Sequence, residues 1–287
     1  MTMPELNPVV QQRRLRAELR KARESAGLTQ AQVSDEMDWS ISKVIRIETG
    51  AVRLSITDLR GLLQLYGVED RDSIAELVEM GKASRKRAWW DDYREVLGEG
   101  MIKYIGLESS ASFIRQFQDD VLPGQLQTAD YARAILDVFN TDAEMAEQKM
   151  EVRIKRQSVL DPVAGMKFVF ILEEAVLRRP FGGPEVMKAQ LERVREIGRQ
   201  PNVTINLLPF SVGAHAGLRT SSFAVLEFPG DDQDHVAALD RAGIGLILQD
   251  NVEEVSQFVE AFVQLEEISV PFEELEVVID RVISELG

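Results

Sequence analysis

Residues 28–50, LTQAQVSDEMDWSISKVIRIETG, constrain this chain more than any other stretch. Thr29 offers an N-cap to a short helix that runs through Val33 and Met37. Asp38 and Trp39 follow as a turn, and Asp tolerates the left-handed backbone conformation better than most residues. Ser40 caps a second helix reaching Glu48, and Gly50 ends it. So short a turn fixes how the two helices cross, and Ser34 is small enough to let them cross closely. On the second helix Val44, Ile47 and the stem of Glu48 share one face. Ser42, Ile45 and Arg46 lie on the other, with Lys43 beside them and Ile41 near the N-terminal end. One side is built to pack, and the other is free to meet base edges in a DNA groove.

The flanks complete a domain. Leu15, Leu19 and Ala22 form a helical apolar stripe within residues 10–25, and Gly27 stops it. Residues 55–66 and about 70–81 read as two more amphipathic helices. The expected unit is an all-α, five-helix helix-turn-helix bundle over residues 1–81.

Charge separates this unit from the rest. The formal net charge is −15, yet residues 1–90 hold 15 basic and 13 acidic side chains. The remainder holds 18 basic and 35 acidic side chains, a net of −17. Contact with phosphate depends on the local reach of Lys and Arg, because the Debye length is about 8 Å at physiological salt. A nearly neutral head can therefore bind DNA while an acidic body stays clear of it.

At this point the head resembles the repressor-type (Cro/repressor-like, XRE-like) helix-turn-helix family. Gly27-Leu28-Thr29-Gln30, Val33-Ser34, Ser42-Lys43-Val44 and Arg46-Ile47-Glu48-Thr49-Gly50 carry the likeness, which spans about residues 10–80. The resemblance implies a phosphate contact at Gln30 and recognition positions at Ser40, Ile41, Ser42, Lys43 and Arg46. It also implies a pairing of Arg23 with Glu48. Arg46 is the favoured base reader, since Arg can reach guanine O6 and N7 together. Ile41 either touches a thymine methyl or completes the hydrophobic core. Asp38 stands where the family commonly has Gly.

Residues 82–103 read as a linker and docking segment. Gly81-Lys82-Ala83-Ser84-Arg85-Lys86-Arg87 is a basic run, read as a solvated linker or helix end rather than a DNA contact. Trp89-Trp90 is expected to pin the linker to the body, because adjacent tryptophans are rarely left in water. Residues 104–287 read as an α+β domain with a mixed sheet. Expected strands are Tyr104–Glu108, Ser112–Gln118 and Lys167–Leu172, then the runs VTINLLPF, SSFAVLEF, HVAALD and IGLILQ. Expected helices are Ala129–Phe139, Ala143–Leu160, one from about Gly183 to Arg199, and two closing ones near 251–267 and 271–286.

No catalytic constellation is visible. The chain has no cysteine, which excludes disulfides and thiol chemistry and fits a cytoplasmic protein. Its two histidines, His215 and His235, fall in separate loops. Asp231, Asp232, Asp234 and His235 form an acidic cluster, read as a hairpin loop rather than a cation site. Gly182-Gly183 reads as a helix start rather than an anion site. No enzyme activity, cofactor or metal is expected. No run reaches the ~20 apolar residues of a membrane span, and the N-terminal sequence lacks a signal core.

Several further stretches closely resemble an actinobacterial regulator family. They are Trp89-Trp90, Tyr104-Ile105-Gly106-Leu107-Glu108, Leu122 to Arg133, Leu172 to Pro180, and Pro201 to Gly217. Its members join a repressor-type head to a C-terminal domain of unknown function and are described as antitoxin-like transcriptional regulators. The resemblance implies a DNA-binding regulator and a small partner protein encoded nearby. One departure is Ala238-Leu239-Asp240, where relatives tend to carry an aromatic residue and Glu.

Three readings follow. In the first, the chain is a sequence-specific regulator whose C-terminal domain forms a homodimer on a palindromic operator and binds the small partner. The acidic body would attract a basic partner, or would merely aid solubility. In the second, the C-terminal domain senses a small molecule through Glu174, Arg178, Arg179, His215 and Arg219, residues that also read as salt-bridged loop structure. In the third, the chain holds its partner and no longer binds DNA.

Overall fold

The computed structural model describes residues 7–50, 52, 54–139, 142–228, 235–241 and 245–286. The chain divides into two compact units, Met1–Asp91 and Asp92–Gly287.

Among its described residues the first unit contains five α-helices: α1 (Pro8–Ser25), α2 (Gln30–Glu36), α3 (Ile41–Glu48), α4 (Ile56–Leu65) and α5 (Arg71–Ala83). Each start has a local cause. Asn7, Thr29, Ser40, Ser55 and Asp70 each accept a backbone N–H of the first turn, satisfying donors that have no intrahelical partner. Thr29 forms a full capping box with Gln32. Leu15, Leu19, Val33, Val44, Ile47, Leu59, Leu62 and Leu63 close into one core. Burial of such side chains contributes roughly 1.5–3 kcal/mol each. Helix α5 runs past residue 81, and Gly81 lets it lie close to α4. A Cβ there would come within 2.9 Å of Leu59 Cδ2. Trp90 is buried, and Trp89 meets it edge-on with ring centroids 5.6 Å apart.

The second unit is α+β around a six-stranded mixed sheet in the order β3-β2-β1-β4-β5-β6. It opens with α6 (Glu99–Glu108), which leads to β1 (Phe113–Gln118). Helices α7 (Ala129–Phe139) and α8 (Ala143–Arg156) carry the chain to β2 (Lys167–Glu173), parallel to β1. Helices α9 (Glu174–Arg178) and α10 (Pro184–Gly198) carry it to β3 (Val203–Leu208), parallel to β2. Parallel neighbours need such long crossovers. After the short α11 (Gly217–Thr220) the sheet turns antiparallel, with β4 (Phe223–Glu227), β5 (His235–Arg241) and β6 (Gly245–Gln249). Helices α12 (Val252–Ile268) and α13 (Phe272–Glu285) follow.

Central β2 is buried at Phe168, Phe170, Ile171 and Leu172, the near-continuous apolar run expected of a strand covered on both faces. On one face Phe117, Ile171, Leu208, Phe223, Val225 and Leu239 pack with Val255, Phe262 and Leu265 of α12. The opposite face of the antiparallel half presents Gln116, Ala224 and Ala238, which neighbour one another in register.

One expected strand is a helix. Residues 104–108 belong to α6, in which Ile102 and every residue from Tyr104 to Glu108 are buried. A helix buried nearly all round loses its polar stripe, and a short β-branched and aromatic run then reads like a strand. Within the expected helix 143–160, the α-helix ends at Arg156 and a 3-10 turn covers Gln157–Leu160.

Candidate nucleic-acid interface

Helices α2 and α3 meet across the turn at Met37–Trp39. Asp38 adopts φ 54°, a left-handed conformation uncommon for a side chain other than Gly. Trp39 N donates to Ser34 O at 2.8 Å, closing the turn. Ser34 is buried, and its hydroxyl donates to Ala31 O. The Ser40 hydroxyl accepts Lys43 N at 3.2 Å and so starts α3.

Val44 and Ile47 of α3 are buried, while Ser42 and Arg46 are exposed. Ile41 is 46% exposed, which places it outside the core, and Ile45 stands exposed beside it. Arg46 keeps one bond inside its own helix, from Nε to Ser42 O at 3.3 Å. Among the described residues its other guanidinium donors have no partner. Lys43 is half-buried: its Nζ pairs with Asp58 Oδ2 at 3.2 Å and lies 3.5 Å from the centre of the Trp39 ring.

Behind α3 lies a buried ionic knot. Arg23 Nε donates to Glu48 Oε1 at 2.6 Å, and Nη2 donates to Oε2 at 3.2 Å. Arg23 Nη1 donates to Leu28 O, and Gln30 Nε2 donates to Glu48 Oε2 at 2.8 Å. One carboxylate therefore ties α1, the start of α2 and the end of α3 together. The Arg23 pKa is raised, chiefly by its hydrogen bond to Glu48. Burial, with Glu48 nearby, pushes the Tyr66 hydroxyl up to about 12. Gln30 thus spends its amide on Glu48 in the free protein.

Two supports were not foreseen from sequence. Arg16 Nη1 donates to Thr49 O at 3.0 Å, and Gln12 Nε2 donates to Gly50 O at 3.1 Å. They satisfy carbonyls at the C-terminal end of α3 from α1, more than thirty residues earlier. Both sit in a polar stretch that carries no local signal of that contact.

Of the five candidate residues of the second unit, the structure joins Glu174 and Arg178 directly. Glu174 pairs with Arg178 at 2.7 Å, Arg178 reaches Glu285 at 2.7 Å, and Glu174 Oε2 accepts Phe210 N at 3.1 Å. Arg179 Nη1 donates to Asp120 O. His215 is buried, with Nε2 3.6 Å from Glu173. Arg219 lines a cleft with Gln257, Glu260 and Gln264 of α12, and none of the other four lines it. Asp231, Asp232 and Asp234 lie outside the described residues, and His235 Nε2 is 3.9 Å from Glu227. Among the described residues no group of three or more metal-ligating side chains is placed to hold an ion. Gly182 and Gly183 take φ of 74° and 89° ahead of α10, so backbone geometry alone accounts for that pair. No helix among the described residues is long and apolar enough to cross a membrane.

Comparison with known families gives two matches. Residues 14–77 match a helix-turn-helix domain. Residues 102–281, more than half of the chain, match a family described as a domain of unknown function (DUF5753). No curated protein and no solved structure matches significantly.

Proposed function

We propose that this chain, which belongs to the family defined by the domain of unknown function DUF5753, is a sequence-specific transcription regulator that reads DNA with α3. The helix-turn-helix domain at its N-terminus points to a DNA-binding regulator rather than an enzyme. The observation that carries the reading is the two-sidedness of α3. Val44 and Ile47 are buried, while Ile41, Ser42, Ile45 and Arg46 are exposed. Arg46 is the base reader in this proposal, Ile41 and Ser42 flank it, and Ser40, Lys43 and Gln30 approach the backbone or base edges once released.

The finer assignment is a repressor-type, antitoxin-like regulator of actinobacterial kind. Its second unit forms a homodimer and binds a small, basic partner protein. Support comes from the net −17 carried outside residues 1–90, which would draw a Lys- and Arg-rich partner and discourage contact with DNA. A dimer would read a palindrome with half-sites about 34–36 Å apart.

Selection of random duplex DNA by the full-length protein, with Arg46→Ala beside it, tests the reading. The wild type is expected to enrich a palindromic motif, and Arg46→Ala to lose about 1–3 kcal/mol at one position. Failure of both proteins to enrich any sequence at moderate salt refutes it. A second reading, in which the second unit senses a small molecule, is favoured by a cleft on the sheet lined by Gln116, Gln125 and Arg153.

A further inference from the structure

Gln116 of β1 and Gln125, in the turn that follows β1, are 7% and 2% exposed. Among the described residues the side-chain oxygen of each has no hydrogen-bond partner. Buried acceptors of this kind are rare and call for an explanation. Their amide nitrogens are engaged. Gln125 Nε2 donates to Glu108 Oε1 at 2.6 Å. Gln116 Nε2 donates to Gln118 Oε1 at 2.8 Å, once the Gln118 amide is oriented by its hydrogen-bond network. The idle atoms are therefore acceptors.

Both glutamines line a cleft of about 140 Å³ on the sheet face away from α12. The register explains why space exists there. Gln116 lies beside Ala224, and Ala224 beside Ala238, so two small side chains in succession leave the floor low. Ala238 and Asp240 face this cleft, while Leu239 between them packs toward α12.

The walls carry charge of both signs. Arg156 is fully used, with Nε 2.8 Å from Glu108 Oε2 and Nη2 2.8 Å from Glu108 Oε1. Arg153 is different: Nη1 donates to the neutral Gln127 Oε1 at 2.7 Å, and it forms no ion pair among the described residues. Burial, reinforced by Arg156, draws its pKa down to about 10. Asp240 stands at the rim of the cleft, its pKa raised by partial burial and then by Asp120, against the attraction of Arg153. Arg153 thus feels the charge of Asp240 without forming an ion pair among the described residues, and the two glutamine oxygens await a donor.

We propose that this cleft binds a small zwitterion bearing a carboxylate and a protonated amine. Arg153 takes the carboxylate, Gln116 and Gln125 accept from the amine, and Asp240 supplies the opposing charge at the mouth. A desolvated Arg grips carboxylate through charge-assisted bonds. A buried acceptor discriminates strongly against analogues that lack the donor. The site deepens the sensing reading by naming its place and chemistry, and it stands independently of DNA recognition.

The test is calorimetric titration and thermal melting of the full-length protein. The probes are α-amino acids and ω-amino acids of increasing length, beside the matching simple carboxylic acids and amines. One or more zwitterions should bind saturably and raise the melting temperature by roughly 5–10 °C at about 100 times Kd. The acid or the amine alone should bind at least about tenfold more weakly. Ala238→Leu, which fills the floor, and Arg153→Gln, which removes the carboxylate grip, should each abolish the effect. Should Ala238→Leu fail to fold, Arg153→Gln decides the matter by itself. The proposal is overturned if no zwitterion gives heat or a melting shift at millimolar concentration, or if binding survives Arg153→Gln. An amine alone that binds as tightly as the zwitterion overturns it equally. Binding that leaves affinity for the selected DNA motif unchanged sustains the site and removes the sensing reading.

Discussion

Replacing Glu48 by Ala removes the carboxylate on which three helices converge. The side chains of Arg23 and Glu48 are 10% and 8% exposed, so the pair is shielded from water. The substitution deletes both Arg23–Glu48 bonds and the Gln30 bond, and leaves Arg23 with Leu28 O and a 3.4 Å contact to Glu24. An uncompensated charge at such a site destabilises by about 3–5 kcal/mol. A unit of this size is stable by only about 4–12 kcal/mol. The expected fall in melting temperature is therefore tens of degrees, at about 4–8 °C per kcal/mol. Trp39 packs against the core of the first unit, so fluorescence during urea unfolding, read in a background with Trp89 and Trp90 replaced by Phe, reports that unit. Arg23→Met with Glu48→Leu removes both charges and should recover most of the loss. If Glu48→Ala shifts stability by less than about 1 kcal/mol, or if the double variant is no better, the buried charge is not what holds α3 in place.

The same fluorescence signal tests a pH effect. Tyr66 has a folded pKa raised from 10.0 to about 12, so the folded state holds its proton more tightly. That contribution, roughly 2–3 kcal/mol, is complete below pH 10 and is lost between pH 10 and about 12; Tyr66→Phe should flatten the loss. Ser40→Ala removes the N-cap of α3 and should cost about 1 kcal/mol, with weaker DNA binding if the start of α3 frays. In the second unit, Gly100→Ala would set a Cβ 2.2 Å from Leu246 O, an atom no rotamer change can move. It should destabilise by about 1–3 kcal/mol or more, read as an earlier loss of ellipticity with the tryptophan signal unchanged.

How much was legible follows the range of the interactions involved. Thr29, Ser40 and Gly50 announce the ends of α2 and α3 because caps act over three or four residues, and Asp38 marks the left-handed turn for the same reason. The amphipathic pattern of α3 separated Val44 and Ile47 from Ser42 and Arg46 without any structure. The Arg23–Glu48 pair came from family resemblance rather than from local pattern, since the partners are 25 residues apart. That Gln30 joins the pair, and that Lys43 is held between Asp58 and Trp39, depends on how α2, α3 and α4 cross.

In the second unit most strand-like and helical runs, the acidic balance and the absence of thiol chemistry could be read from the order of residues alone, because each is a property of neighbouring residues or of composition. The identity of α6 as a helix needed the structure, since burial on all sides erased the periodicity that distinguishes it. The sheet order and the meeting of Gln116, Gln125, Arg153, Ala224, Ala238 and Asp240 at one cleft were decided only in three dimensions. Those residues come from four separate stretches of chain, and long-range pairing leaves no mark on the local sequence that a reader of one chain can use.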